Sequence, residues 1–223
     1  MAKMIPPRPP RRGDGTTGSE VDLWKALQEQ LPEGFVVYHS LPYLRSDSVQ
    51  GEVDFLIVHR EHGMLVLECK GGGIFRDEDG VWLRKNPNGT RDRIESPSDQ
   101  ARDQVETVVD KTRGPLQGLL ERSFGKYPLV YGWALAFPYT HVDEIGLPID
   151  FEPEVVVGSQ HMGQLHEKIV GALEFYGQKV SNRSMSEEEF EDFRLTVLQE
   201  PVGLEPNLAG HIDNERRRFV ELS

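Results

Sequence analysis

Apolar residues recur at helical spacing at Trp24, Leu27 and Leu31, which predicts a first helix from about Glu20 to Leu31, halted by Pro32. Ser19, with Asp22 three residues on, reads as its N-cap. Phe35 to Ser40 reads as a short strand. The stretch GEVDFLIVHREHGMLVLECKGG holds two β-rich runs separated by a polar turn that includes Gly63, the pattern of a hairpin. Ile74–Arg76 and Val81–Lys85 flank DEDG and predict a second, smaller hairpin. Ser96-Pro97-Ser98-Asp99 joins a cap, a proline at the first helical position and a first-turn acid. A helix from Pro97 to about Arg122 should follow, with Ala101, Val105, Val108 and Thr112 facing inward. Leu129–Phe137 and Glu154–Val157 are candidate buried strands, and His161–Tyr176 and Glu187–Gln199 candidate helices. Ser186 and Glu189 form a capping box for the last of these, and Phe190, Phe193 and Val197 give it an apolar stripe. The order α-β-β-β-α-β, with helical additions after it, predicts an α/β domain with a mixed central sheet flanked by helices.

Composition narrows the setting. Of 223 residues, 37% are hydrophobic and 28% charged, enough for one core with trimmings. No apolar run approaches the roughly 18 residues of a membrane span. The first residues lack the apolar centre of a secretory signal, and the single cysteine excludes an internal disulfide framework or a multi-cysteine zinc site. The expected location is cytoplasmic, with no membrane partner. Pro, Gly and Arg dominate residues 1–17, which read as a disordered basic tail. A globular unit over 18–180 and a C-terminal helical extension or linker over 181–223 complete the expected organisation. The net charge of −12 argues against a chain that coats nucleic acid by charge alone, but not against an enzyme whose carboxylates hold metal.

The first predicted hairpin carries the candidate chemistry. Alternation puts Glu52, Asp54, Leu56 and Val58 on one face of its first strand, and Met64, Val66, Glu68 and Lys70 on one face of its second. Both strands are otherwise apolar on both faces, the pattern of covered central strands. Unpaired carboxylates buried there would cost several kcal/mol each, and a divalent cation is the simplest compensation. A turn centred on Glu61 sets Asp54 opposite Glu68, with Cβ atoms roughly 4.5–5.5 Å apart, and Glu52 opposite Lys70. Two carboxylates so placed can share one Mg²⁺, whereas a one-residue slip would send them to opposite faces. Gly71, Gly72 and Gly73 either open the strand end to a ligand or form a flexible turn. Cys69 points away from Glu68 and Lys70 and reads as a core thiol, not a nucleophile. The seven histidines show no metal-ligand spacing, so His59, His62, His161 and His166 are expected in surface roles.

Four blocks, Glu20 on its helix, Gln50-Gly51-Glu52-Val53-Asp54, Leu67-Glu68-Cys69-Lys70-Gly71-Gly72, and Ser96-Pro97 followed by Gln100-Ala101, occur in the order in which they occur in the NERD (nuclease-related) domain. Over about residues 18–140 the chain resembles that domain, a member of the PD-(D/E)XK nuclease superfamily. The resemblance implies a restriction-endonuclease-like core and hydrolysis of phosphodiester bonds in DNA in preference to RNA, with Mg²⁺ or Mn²⁺ as cofactor. It implies that Asp54 and Glu68 ligate the metal with the backbone carbonyl of Cys69, and that Lys70 positions the attacking water and offsets phosphate charge. Glu20 would be an outer ligand or water-orienting group, and Gln100 would contact the water or a phosphate at a helix N-terminus. The bland alternatives are that Glu20 only complements the helix dipole, that Gln100 lies on the surface, and that Gln104 takes its role. Leu208–Ser223 resembles the segment that joins NERD domains to a superfamily-1 helicase, which implies a helicase partner in the same polypeptide, supplying a grip on DNA. The competing reading is a catalytically inactive module of the same fold, for DNA binding or protein interaction.

Overall fold

The computed structural model describes residues 1–10, 18–44, 50–85, 88–114, 116–118, 126–143, 147–148, 150–178 and 184–197. Its elements run β1 (Lys3–Ile5), α1 (Gly18–Gln30), β2 (Val36–Leu44), β3 (Gln50–His59), β4 (Gly63–Cys69), β5 (Gly73–Arg76), β6 (Trp82–Lys85), β7 (Arg91–Arg93), α2 (Pro97–Arg113), β8 (Tyr131–Phe137), β9 (Val156–Gly158), α3 (Leu165–Gly177) and α4 (Glu187–Asp192). Among the described residues no helix is long and apolar enough to cross a membrane.

A mixed sheet in the order β1-β2-β3-β4-β8-β9 forms the centre. β2, β3 and β4 are antiparallel, and β8 and β9 continue parallel to β4. β4 is buried along its whole length, as its apolar residues on both faces require. Odd-numbered side chains (Phe55, Ile57, Leu65, Leu67, Cys69) pack under α1 and α3, against Leu23, Trp24, Leu27, Ile169 and Leu173. Even-numbered ones (Leu56, Val58, Met64, Val66) pack under α2 and α4, against Val105, Val108, Val109, Phe190 and Phe193. Each such large apolar residue contributes about 1.5–3 kcal/mol by burial, so a carboxylate in these rows forgoes stabilisation of that size. The expected α/β fold with a mixed sheet between helices, the architecture of a nuclease-like domain, is the one observed.

Gly63 lets the β3–β4 hairpin close. Its φ of +122° lies in the left-handed region, and a Cβ there would come within 2.4 Å of the Val130 carbonyl oxygen. That oxygen accepts the Met64 N–H at 2.8 Å and continues the junction toward β8.

Several expectations are corrected. The tail expected to be disordered over 1–17 contains β1, which pairs parallel with β2 and buries Met4 and Ile5. Ser19 is no cap: the helix already begins at Gly18, and the serine is fully buried in its first turn. The second hairpin gains a third strand, β7, to form a ribbon of order β5-β6-β7. Helix α2 ends at Arg113 rather than near Arg122. Of the segment expected as a helical extension or linker, residues 184–197 are a helical extension packed on the core, where Met185, Phe190 and Phe193 are buried and the Met185 N–H bonds the Arg60 carbonyl. The Leu208–Ser223 stretch lies outside the described residues.

Candidate active site

The β3–β4 ladder runs from His59↔Gly63 to Phe55↔Leu67, which is the register expected from a turn centred on Glu61. Asp54 and Glu68 occupy the next step, and there the pairing changes character. Instead of a backbone bond across the strands, Asp54 Oδ2 accepts the N–H of Cys69 at 2.8 Å. The carboxylate thus fills the notch where the two strands part. Asp54 is half-buried. Burial, followed by the charge of neighbouring Glu68, pushes its carboxyl well above the usual carboxylate range. The Cys69 N–H and Lys70 oppose that shift, and Glu20 on α1 reinforces it.

Glu68, only 1% exposed, lies on the α2 side of the sheet. Its Oε1 accepts from Lys70 Nζ at 2.5 Å and its Oε2 from Gln104 Nε2 at 2.7 Å. The same Gln104 nitrogen donates to the Glu52 carbonyl oxygen at 3.1 Å. Two acceptors on one amide nitrogen fix the orientation of that side chain, and its Oε1 is left buried with no hydrogen-bond partner. Lys70 Nζ also donates to Gln100 Oε1 at 2.7 Å. Gln100 and Gln104 stand one helical turn apart on the face of α2 that meets β4. They are not rivals for one role: Gln100 holds the lysine and Gln104 holds the glutamate. Glu52 faces solvent and contributes its backbone, while Lys70, expected opposite it, bonds Glu68 and Gln100 instead.

Asp54, Glu68, Lys70 and Gln100 are therefore brought together, and Glu20 approaches from the far side of the sheet near Asp54 and Cys69. Cys69 is buried beneath α1, where Ser19 bonds its thiol. Burial, then the Asp54 charge, pushes that thiol well up, which leaves it unsuited to attack as thiolate.

The donor set suits a hard divalent cation. Mg²⁺ characteristically takes one or two carboxylates and keeps several waters. Here two carboxylates are neighbours, and among the described residues no group of three or more His, Cys, Asp or Glu side chains is placed to hold a metal ion, so water and backbone oxygens would have to complete a shell around one. Each Glu68 oxygen has one lone-pair site taken, by Lys70 or Gln104, and one remaining. A cation beside Asp54 would also reverse the repulsion that raises its pKa.

The histidines expected in surface roles, His59, His62, His161 and His166, are each half-buried. His59, His62 and His166 gather around the Phe35 ring, with centroid separations of 4.5, 5.7 and 5.9 Å. His59 Nδ1 accepts the N–H groups of Glu61 and His62, both at 3.2 Å, and so shapes the β3–β4 turn.

A family model described as nuclease-related domain (NERD) matches residues 16–127, a span that contains every residue of the cluster. No curated protein and no solved structure gives a significant match to the chain.

Proposed function

The chain belongs to the nuclease-related domain family, and on that premise we propose that it is a Mg²⁺-dependent nuclease that hydrolyses phosphodiester bonds in DNA. The observation that carries the proposal is the seating of Asp54 in the strand notch beside the Glu68–Lys70 pair.

Asp54, Glu68 and the Cys69 carbonyl would hold the cation, which when bound would supply Lewis-acid charge at the phosphoryl oxygen and acidify water. Mn²⁺ fits the same oxygen donors. An ammonium has three N–H donors. Glu68 and Gln100 take two of those on Lys70 and aim the third at the water or at a non-bridging phosphate oxygen. The lysine charge then offsets the negative charge that builds on phosphorus as water adds and the P–O bond breaks. Glu20 orients water from the α1 side. The coarser assignment, nuclease-related, is that of the family; the metal, the DNA substrate and these roles are ours. We place the activity in the cytoplasm, and the resemblance of Leu208–Ser223 to a helicase junction extends the proposal to coupling with a helicase in the same polypeptide.

Incubation of supercoiled plasmid with and without Mg²⁺ tests this. Wild type should nick or linearise it only with metal, and Glu68→Ala and Lys70→Ala should each lose roughly 10²-fold or more in rate. Equal cleavage by all three proteins, or none by folded wild type on single- or double-stranded DNA with either metal, would favour the inactive-module reading.

A further inference from the structure

We propose that the outer face of the β5-β6-β7 ribbon grips the phosphate backbone of duplex DNA and delivers it to the cluster around Glu68; this rests on the nuclease reading and adds the surface that holds its substrate.

Register assigns the faces. Ile74, Trp82 and Ile94 point inward, packed with Ala101, Leu135, Phe137 and Phe151. The opposite parity forms two cross-strand rows, Phe75–Leu83–Arg93 and Gly73–Lys85–Arg91. This outward face carries three cations and no carboxylate. Lys85, Arg91 and Arg93 are all exposed, and among the described residues no ion pair joins any of them to an acid. Of the acids of the ribbon, Glu78 and Asp79 are exposed in the β5–β6 turn, where Asp79 and neighbouring Glu95 line the same depression as Arg93. Asp92 lies on the inner-parity face, 3.9 Å from Arg84, while Asp77 is turned into its own hairpin, accepting the Asp79 and Val81 N–H groups. A face whose charges are all positive, on a chain of net charge −12, is complementary to an external polyanion.

Duplex DNA is the occupant that fits. The Arg91 guanidinium lies 5.0 Å from the Phe75 ring centre, so the one aromatic ring of this face is already covered and offers no open platform for stacking a base. Single strands are held largely by such platforms; a duplex is held by charge, at one negative charge per about 1.7 Å. Cations two residues apart on a strand, as Arg91 and Arg93 are, stand roughly 6.6 Å apart and can reach separate phosphates.

The ribbon is also tied to the site. It leaves the sheet after Lys70 and returns at α2, and the Lys70–Gln100 bond joins the two ends of that excursion. Gly73 follows Lys70 by three residues, a span of at most about 10 Å. DNA on the ribbon is thus beside the cluster, and a module expected to borrow its grip from a partner carries one of its own.

Fluorescence anisotropy with a labelled duplex, the full chain and EDTA tests this without any need for cleavage. Wild type should bind, and Lys85→Glu/Arg91→Glu/Arg93→Glu should bind at least tenfold more weakly. The slope of log affinity against log salt should become shallower by roughly 2–3, as expected for three lost phosphate contacts. The triple glutamine variant at the same positions should show the same direction should charge reversal prevent folding. If wild type binds the duplex but never cleaves, the ribbon assignment stands and the nuclease reading falls. Unchanged affinity in the folded triple variants, tighter binding of a single strand than of the duplex, or no duplex binding by wild type at low salt overturns the ribbon assignment.

Discussion

Gln104 joins Glu68 to the backbone of β3 through one amide nitrogen, 2.7 Å from the carboxylate and 3.1 Å from the Glu52 carbonyl. Helix α2 and both strands of the hairpin therefore meet at a single buried donor. Gln104→Leu removes that donor while keeping the side-chain bulk. It should lower the cleavage rate about 10–100-fold, as loss of a group orienting a metal ligand does, and destabilise the fold by about 1–3 kcal/mol. Rates measured alongside urea unfolding separate the two effects. A variant with full activity would show that Glu68 needs no such support.

Lys70 and Gln100 are linked in the same way, at 2.7 Å. Gln100→Ala leaves the Glu68 partner of the lysine in place but frees the ammonium to turn. The expected result is a fall of about tenfold or more in kcat, with duplex binding in EDTA unchanged. Lys70→Arg should not rescue a Lys70→Ala loss, because each guanidinium nitrogen carries at most two N–H groups, held in one plane, and cannot donate to Glu68, Gln100 and a third acceptor from one atom as the ammonium does.

His59 makes the hairpin sensitive to acid. Burial, then neighbouring His62, lowers its pKa from the ordinary 6.5 to about 4; Glu61 opposes, and Arg60 and His166 add. The folded protein therefore binds fewer protons at this site than the unfolded chain below pH 6.5. Its contribution to stability is complete above about 6.5 and is lost as pH falls toward 4. Protonation would also set an N–H against the two backbone donors that Nδ1 now accepts. The melting temperature of wild type should fall over this window more steeply than that of His59→Asn, whose side-chain oxygen can accept but does not titrate. Identical slopes would contradict this.

Gly63→Ala places a methyl group 2.4 Å from the Val130 carbonyl oxygen at a φ of +122°. A loss of about 3 kcal/mol or more is expected, since the strain of the left-handed conformation and the collision add. Chemical denaturation measures it, and a change below about 1 kcal/mol would show that the hairpin can relax.

Most of the sheet was legible in the sequence, because β3 and β4 carry apolar residues on both faces over Phe55–Val58 and Met64–Leu67 and a glycine turn that admits one register. Asp54 and Glu68 were visible for the same reason, as acids in rows that otherwise hold Leu and Val. The ribbon's third strand was not: Arg91-Asp92-Arg93 has no apolar residue and is held by pairing with β6. Lys3–Ile5 is brief and followed by prolines, so its burial against β2 had no periodic signal. The end of α2 was marked by Gly114-Pro115, since proline supplies no N–H and crowds the preceding turn. The division of labour between Gln100 and Gln104 could not be read from spacing alone, because both lie on the helix face toward β4 and only the strand end decides which polar group each meets.

A crystal of the protein soaked in Mn²⁺ and measured for anomalous scattering tests the proposed metal site most directly. One strong peak should appear in the notch between β3 and β4, within bonding distance of a carboxylate oxygen of Asp54, one of Glu68 and the Cys69 carbonyl. A map with no peak there, or with Asp54 and Glu68 turned into separate environments, would contradict it.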